Sequence, residues 1–414
     1  MPWLLIRSRW SRSASRLLLA GALGVFSTTH PAAQGADPAA AAAFHAGPFA
    51  FTPSLDVPGI GRDSNVFNDA KDPKADITGQ VQPQIQTWLR LGRARVSASE
   101  LVSFVYFREY ASERAVNTTT NVRFSVLLAR GTPYVAAAFV KTTDRPGPEV
   151  DTRAQQRRNP MTAGLDFRVS AKTSLDFGVD YEHVNFASGQ TFGAANLETE
   201  LDRSTRAYRT TLRYSITPPT AFTLSVVQQN NQFQFSPDRD SHSVRIVPGV
   251  VFAPFALITG RAEVGVLRYT PRDPRIRPFN GPVATVDLGY VLMGSTRFSV
   301  QVSRDVQPSV DRVENYFVQT GVGGSVTHRI SQRWDAQAGA VELRLDYGNN
   351  SAAPDAATFS GPEFVRTYNA GLGFYFSRGL RVGVRGEHAS RASGRSNGDY
   401  QNVRFMTTMS YSFR

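Results

Sequence analysis

The chain has 414 residues and no cysteine, which excludes disulfide bonds, thiolate metal sites and a cysteine nucleophile. Hydrophobic residues make up 41 % and charged residues 19 %, a composition too polar for a helical membrane protein. The formal net charge is +12, but the arginines that dominate it are scattered and form no basic run with aromatic neighbours. We therefore expect no nucleic-acid partner.

The amino terminus has the three-part layout of a secretory signal peptide. Its first sixteen residues carry arginines and no acid, Leu17 to Phe26 are apolar, and small residues follow. Cleavage is expected near Ala33, so we assign residues 1–35 to the signal peptide and 36–49 to a flexible tail. An exported chain without a later apolar helix is either soluble or a closed barrel, because only helices and closed barrels satisfy the backbone in lipid.

From Phe51 onward the sequence alternates between apolar and polar residues. Leu175, Phe177 and Val179, for example, alternate with Asp176 and Asp180. This period of two predicts β-strands. Short turns are predicted near residues 91–93, 131–133, 171–173, 217–220, 254–257, 294–296, 331–333 and 378–379, and longer loops near 68–76, 111–117, 145–160, 189–204, 236–242, 272–281, 306–314, 349–364 and 394–399.

Turns and loops alternate along the chain, which predicts 18 strands, with 16 still possible. We therefore expect an all-β fold: one transmembrane antiparallel β-barrel over residues 50–414, with short periplasmic turns and longer extracellular loops, in the bacterial outer membrane. A soluble sandwich has no reason to sort its connections by length. Tyrosines near strand ends suggest interfacial girdles: Tyr181, Tyr214, Tyr269, Tyr290, Tyr316, Tyr347, Tyr368, Tyr400 and Tyr411.

The last residues resemble the carboxy-terminal signal by which outer-membrane barrels are recognised for assembly. Tyr411 and Phe413 supply the two aromatic residues, although Arg414 follows them and Thr408 stands where a glycine is usual. The expected partners are accordingly the barrel-assembly machinery, outer-membrane lipid and lipopolysaccharide.

The stretch Asp63-Ser64-Asn65-Val66-Phe67 resembles the D-x-N-V-F element in the first hairpin of the putative beta-barrel porin 2 family. An Asp-rich loop and a strand containing Pro83 follow, as in that family. The resemblance implies an outer-membrane barrel, linked in several lineages to exopolysaccharide production or secretion, with no catalytic residues. From their chemistry alone, Asp63 and Asn65 are expected to brace the first outer loop through backbone amides.

Enzymatic chemistry finds little support in the sequence. No histidine pair has metal-ligand spacing, and no glycine-rich phosphate loop is present. We expect no catalytic residue, no metal and no cofactor. The acids Asp176, Asp180 and Glu182 share one strand face, where neighbouring arginines at 168, 209 and 213 are expected to neutralise them.

A barrel of 16 to 18 strands can enclose an aqueous channel, unless loops or a plug fill it. Its expected substrates are small solutes or polysaccharide, with weak anion preference from arginine on the polar strand faces. A closed structural or adhesive barrel without transport is the alternative, and a barrel enzyme is less expected. Loops 145–160 and 349–364 are long enough to fold inward. The lumen-lining candidates are Arg123, Arg168, Asp176, Asp180, Arg209, Arg213, Arg245, Arg344, Arg381, Arg385 and Arg404, together with Arg261, Glu263, Glu342, Asp346 and Glu387.

Overall fold

A computed structural model describes residues 38–254, 256–311, 314–347, 361–394 and 398–413. The predicted signal peptide lies outside the described residues. Eighteen long strands, numbered here β1 to β18, make up most of the described chain. They are β1 Phe49–Asp63, β2 Asp76–Leu91, β3 Ala94–Phe107, β4 Ala115–Val126, β5 Gly131–Asp144, β6 Ala154–Arg168, β7 Thr173–Phe186, β8 Arg203–Thr217, β9 Thr220–Phe233, β10 Ser241–Phe252, β11 Ile258–Pro271, β12 Phe279–Leu292, β13 Thr296–Pro308, β14 Tyr316–Arg329, β15 Trp334–Asp346, β16 Glu363–Tyr375, β17 Leu380–Ala392 and β18 Tyr400–Ser412.

The strands form one closed antiparallel barrel. Each strand pairs with the next along the chain, and β18 returns to pair with β1, from Ser54 opposite Ser412 to Asp63 opposite Arg404. The ring therefore has no unpaired edge, and its backbone groups are hydrogen-bonded between strands as a lipid environment requires. The strand count is 18, which confirms the predicted fold and removes the 16-strand alternative.

Eight short turns and nine longer loops connect the strands and lie at opposite ends of the barrel. The turn expected at residues 131–133 lies instead at 127–130, because Gly131 already begins β5 and its carbonyl accepts the Leu128 amide at 2.9 Å. The loops are named here in chain order: L1 64–75, L2 108–114, L3 145–153, L4 187–202, L5 234–240, L6 272–278, L7 309–315, L8 347–362 and L9 393–399. Residues 312–313, 348–360 and 395–397 lie outside the described residues, and so does most of the loop 349–364 that was expected to be able to fold inward.

The outer face of the barrel is apolar over the middle of the strands. Val135 is 52 % exposed, Phe139 50 % and Val264 55 %, as expected for side chains that meet lipid. No helix in the described part of the chain is long and apolar enough to cross a membrane. The helix that L4 contains, Leu197–Leu201, has only five residues.

Residues before the barrel fold back onto it. Pro38–Ala41 forms a 3₁₀ turn, and the short strand Phe44–Ala46 pairs with the start of β1. The Phe44 ring stacks on Phe51 at 5.0 Å and lies 6.0 Å from Phe413. The segment predicted as a flexible tail is thus structured from residue 38 onward, because its aromatic residue packs where the two ends of the barrel wall meet.

Candidate functional site

The inner face of the barrel is defined by side chains that meet across non-neighbouring strands. Arg245 on β10 and Asp305 on β13 form an ion pair of 3.1 Å, although two strands separate them. Arg381 on β17 reaches over β16 to Asp335 on β15 at 2.6 Å. Such contacts cross the interior of the barrel, so these side chains point into the lumen.

A buried polar cluster extends over the inner face from β4 to β8. The Arg123 guanidinium lies 4.0 Å from the ring centre of Tyr134, whose hydroxyl donates to Asp176 at 2.9 Å. Arg209 lies 3.6 Å from Asp176 and 3.9 Å from Asp180. The phenol and one arginine therefore hold together two carboxylates that would repel each other.

Glycines make the reach of these long side chains possible. A Cβ at Gly164 on β6 would lie 2.5 Å from the Tyr134 hydroxyl, and one at Gly178 on β7 would lie 2.6 Å from the Arg209 guanidinium. Likewise, a Cβ at Gly373 would lie 2.1 Å from the Arg381 guanidinium. Each glycine leaves space over one strand, so that a side chain from the next strand can cross it.

Arg168, Arg209 and Arg213 were expected to neutralise the three acids of β7, Asp176, Asp180 and Glu182. The structure shows this only in part. Arg209 contacts Asp176 and Asp180, but Glu182 pairs with Arg158 on β6 at 2.6 Å. Arg168 on β6 and Arg213 on β8 instead both stand directly across from Ser174, and neither forms an ion pair with the described residues. The sequence missed Arg158 because cross-strand neighbours depend on register, which alternation alone does not fix.

The inner face also carries the seam where the barrel closes. Arg404 on β18 pairs with Asp63 on β1 at 2.8 Å and with Glu387 on β17 at 2.9 Å. Arg385, two residues before Glu387, donates to the Pro58 carbonyl at 3.4 Å. Register places Arg261 and Glu263 of β11 on the inner face as well.

Arg344 is a correction to the lumen-lining candidates, as are its neighbours Glu342 and Asp346. Register places all three on the outer face of β15, where Arg344 pairs with Asp346 at 3.0 Å and Glu342 with Arg366 at 2.6 Å. The intervening Leu345 points inward and is fully buried beside Phe317 and Tyr347. Polarity is inverted at this height because packed loops fill the inside while polar headgroups surround the outside.

The tyrosines near the strand ends also divide between the outer face and the interior of the barrel. Tyr181, Tyr214 and Tyr368 are outward and between 37 % and 50 % exposed, as an interfacial girdle requires. Tyr269 and Tyr316 are instead buried against each other with ring centres 5.0 Å apart, and Tyr347 is also buried. These three belong to the packing of the outer mouth and not to a girdle. Tyr411 and Phe413 of the predicted assembly signal stack edge to face at 4.7 Å, and their role as a signal stays a prediction.

The residues of the family motif organise L1. The Asp63 carboxylate accepts the Asn65 amide at 2.9 Å, and the Asn65 side chain both accepts from the Asp69 amide and donates to the Asp69 carbonyl. Val66 is fully buried, whereas Phe67 is 37 % exposed and packs edge to face on Tyr110. The Asn65 side chain also donates to the Gln401 carbonyl at 3.1 Å, and the Asn402 side chain donates to the Asn65 carbonyl at 3.0 Å, so L1 is fixed to β18, the strand that closes the barrel.

L3, called here the strap, is held at both ends by Val66 of L1. Arg145 and Arg153 at its two ends donate to the Val66 carbonyl at 3.1 and 3.2 Å. Asp151 pairs with Arg145 at 2.6 Å and accepts from Asn68 at 2.8 Å. Burial of the Asp151 carboxyl raises its pKa, an effect that Arg145, Asn68 and the nearby Arg391 only partly offset.

The tip of the strap reaches across the barrel. The Glu149 carboxylate accepts from the Ser309 hydroxyl at 2.6 Å and the Val310 amide at 2.9 Å, both in L7, and from the Tyr347 hydroxyl at 3.2 Å. Arg391 on β17 donates to the Glu149 carbonyl at 3.4 Å. Eight strands lie between L3 and L7 in one direction around the ring and ten in the other, so this contact crosses the mouth.

A second buried charge fixes the other side of the mouth. Arg239 of L5 is 3 % exposed and pairs with Glu200 of L4 at 2.6 Å. It also donates to the carbonyl oxygens of Ser309 and Asp311 in L7. An apolar cluster lies beneath these contacts and joins the strap to L4 and L7: Val150, Ala154, Val184, Phe186, Leu197, Leu201 and Val310.

Within the described residues, no three histidine or acidic side chains come together in a way that could hold a metal ion. The inner face provides a charged wall, and the strap narrows the opening at the mouth. These are features that select solutes by size and charge.

A closed 18-stranded barrel with an apolar outer belt and a charged inner face defines a porin-type outer-membrane protein. The sequence matches the family described as Putative beta-barrel porin 2 over residues 37–413, and the chain belongs to that family. It is accordingly a porin-like channel protein of the bacterial outer membrane.

Solved structures of similar shape are outer-membrane channels. OccK2 (OpdF) of Pseudomonas aeruginosa shares 11 % identity with a TM-score of 0.48, over 87 % of this chain and 98 % of that one. A BenF-like porin of Pseudomonas fluorescens Pf-5 shares 11 % identity with a TM-score of 0.48, over 88 % and 98 %. The channel DcaP of Acinetobacter baumannii shares 12 % identity with a TM-score of 0.45, over 90 % and 100 %. No curated protein matches the sequence.

Proposed function

We propose that this protein is a diffusion channel for small polar solutes, with a weak preference for anions and an outer opening narrowed by the strap. The observation that carries the proposal is the Glu149 contact with Ser309 and Val310, which spans the mouth from L3 to L7. A loop held at both ends in this way narrows the opening and leaves the wall below it intact.

The anion preference rests on which arginines are already neutralised. Arg209, Arg245, Arg381 and Arg404 each have a carboxylate partner, and their charges are largely compensated. Arg168 and Arg213, which flank Ser174 on either side, form no ion pair with the described residues. Asp166 on the inner face of β6 offsets part of the Arg213 charge, and the remaining positive charge of the two arginines is available to a passing solute.

The reversal potential in planar bilayers under a potassium chloride gradient tests the charge preference. We expect a modest anion preference that the double substitution Arg168→Gln with Arg213→Gln lowers. The matched control is Lys172→Gln with Arg378→Gln, which removes two cations from the periplasmic turns and should change the potential less. Cation preference of the unsubstituted protein would contradict the proposal.

Polysaccharide is a second candidate substrate class, implied by the resemblance to exopolysaccharide-linked relatives. An arginine-bearing wall suits an acidic polymer, and release of the strap would widen the mouth for a polymer chain. Liposome swelling with neutral sugars of increasing size separates the alternatives. Swelling with small sugars alone favours the diffusion channel, and no swelling with any sugar would indicate a closed structural or adhesive barrel. The proposal assigns no catalytic step to any residue.

A further inference from the structure

The basic residues on the outer face of the barrel are distributed unevenly. In the strands that the structure describes, all of them lie in the half that leads to the loops, and the half that leads to the turns carries none. A lipid-facing Arg or Lys costs about 2–4 kcal/mol at the bilayer midplane and close to nothing at the headgroups. The outward cations are Arg62, Lys141, Arg157, Arg206, Arg268, Arg304, Arg344 and Arg366.

Two of these cations face each other directly. Lys141 on β5 is the cross-strand partner of Arg157 on β6, and both side chains are exposed. Each lies three residues from the loop end of its strand. Neither forms an ion pair with a carboxylate in the described chain, whereas Arg344 and Arg366 each have one.

The row continues on both sides with further hydrogen-bonding groups. Thr118 on β4 stands across from Lys141, and Asn185 on β7 stands across from Arg157. One hydroxyl, one ammonium, one guanidinium and one amide therefore form a line over four strands. Two acids lie near this row. Glu100 on β3 is bonded to Thr120 in the next row toward the turns, and Asp202 at the end of L4 accepts from the Asn185 side chain at 3.4 Å and from the Phe186 amide at 2.7 Å, so neither pairs with Lys141 or Arg157.

Like charges directly opposite each other on adjacent strands destabilise a sheet. Their Cβ atoms are about 4.5–5.5 Å apart in such a pair. Both head groups can therefore donate to the oxygen atoms of one anion, in short charge-assisted hydrogen bonds. An anion bound between them turns the repulsion into two attractive contacts.

We propose that Lys141 and Arg157 together bind a phosphate group of lipopolysaccharide in the outer leaflet. The row faces lipid and not the aqueous lumen, which favours a phosphate carried by a lipid over a free phosphate ion. The cations are confined to the loop side, which is the leaflet where lipopolysaccharide resides. The proposal concerns the outer face and does not depend on transport through the lumen.

The test uses the full mature barrel purified in detergent free of lipopolysaccharide. The variants are Lys141→Gln with Arg157→Gln and, as a matched control at the opposite rim, Lys172→Gln with Arg378→Gln. Binding of lipopolysaccharide is measured for each by native mass spectrometry or fluorescence titration. We expect at least about tenfold weaker binding for the first pair and little change for the control.

Two further measurements identify the occupant and verify folding. Lipopolysaccharide whose lipid A has been dephosphorylated should bind the unsubstituted protein about as weakly as native lipopolysaccharide binds the double variant, and neither phosphatidylglycerol nor inorganic phosphate should compete. The variant Lys141→Glu places an opposite charge beside Arg157. It should raise the thermal stability of the barrel in detergent and abolish tight binding.

Unchanged binding by the folded double variant would overturn the proposal, and so would equal binding of phosphatidylglycerol. Folding is read from the shift of the unheated band on a denaturing gel. Bilayer conductance of the double variant should equal that of the unsubstituted protein. Loss of lipopolysaccharide binding with normal conductance therefore separates this site from the proposed channel.

Discussion

The Glu149 carboxylate accepts a 2.6 Å hydrogen bond from the Ser309 hydroxyl, although the loops that carry these residues lie on nearly opposite sides of the barrel. Glu149 is 3 % exposed and Ser309 is fully buried. Water is thus excluded from the bond, and a carboxylate without its donors at this position would be strongly disfavoured. We therefore expect the strap to be either seated with all of these bonds or displaced into solvent.

Substitution of Glu149 by Ala should release the tip of the strap. Hydrogen bonds to a charged group contribute about 1.5–3 kcal/mol, so even one lost bond shifts the seated-to-released equilibrium about tenfold or more. We expect a larger single-channel conductance and entry of larger sugars in liposome swelling. Glu109→Ala in L2, whose carboxylate has no part in these contacts, is the control. Equal conductance of Glu149→Ala and the unsubstituted channel would show that the strap does not limit flow.

Substitution of Asp63 by Ala should weaken the seam. It removes the 2.8 Å contact with Arg404 and leaves the buried Asn65 amide without its acceptor, a loss of about 1–3 kcal/mol in the free energy of unfolding. Unfolding in urea, followed by the gel shift of the folded barrel, measures the change. Asp72→Ala breaks an exposed contact with Lys74 in L1 and should change stability little. Equal urea midpoints for the two variants would argue against a structural role of the seam.

Substitution of Gly164 by Ala should displace Tyr134. The new methyl group would meet the phenol at 2.5 Å and the Phe177 carbonyl at 2.7 Å, and overpacking of this kind costs about 1–3 kcal/mol. The hydroxyl would then leave Asp176, and the thermal midpoint should fall. Gly386→Ala is the matched control, because its methyl group would lie 3.5 Å from the nearest atom, on the Phe405 ring. A thermal midpoint that stays the same in Gly164→Ala would mean that the Tyr134 cluster does not need this space.

The conductance should fall as the pH is lowered, through Asp151 in the strap. Its pKa is raised by burial, so the seated strap binds the proton more tightly than the released strap does. The seated state is therefore favoured as the pH falls through the raised pKa toward the usual aspartate value, and it loses this advantage as the pH rises. Asp151→Asn keeps the side chain neutral and should flatten this part of the pH profile, measured as open-state conductance in planar bilayers. A profile unchanged by Asp151→Asn would assign the pH dependence to other groups.

Strand number, connection lengths and the closed architecture follow from the sequence, because alternation and turn chemistry act over a few residues. The alternation of Leu175, Phe177 and Val179 with polar residues is enough to identify the outer face of β7, and no other part of the chain is needed. The contacts of Arg209, Arg245 and Arg381 could not be predicted in the same way. They depend on register and, for Arg209 and Arg381, on a glycine in the neighbouring strand.

Arg344 shows a second limit of the alternation rule. That rule assumes that polar side chains point inward along the whole height of the barrel. At the outer rim the interior is filled with packed loops, and Leu345 is buried there while Arg344 points outward. The contact of Glu149 across the mouth could not be predicted from the sequence either. The length of L3 allows the loop to fold inward, but it does not specify which residues the loop contacts.

The placement of the two ends of the strap bears on how the barrel is completed. Its base rests on Val66 in the first hairpin of the chain, while its tip requires Ser309, Tyr347 and Arg391 from the last third of the chain. A wall that lacks either part cannot seat the strap at both ends. In whatever order the strands assemble, the opening is narrowed only when both parts of the wall are in place.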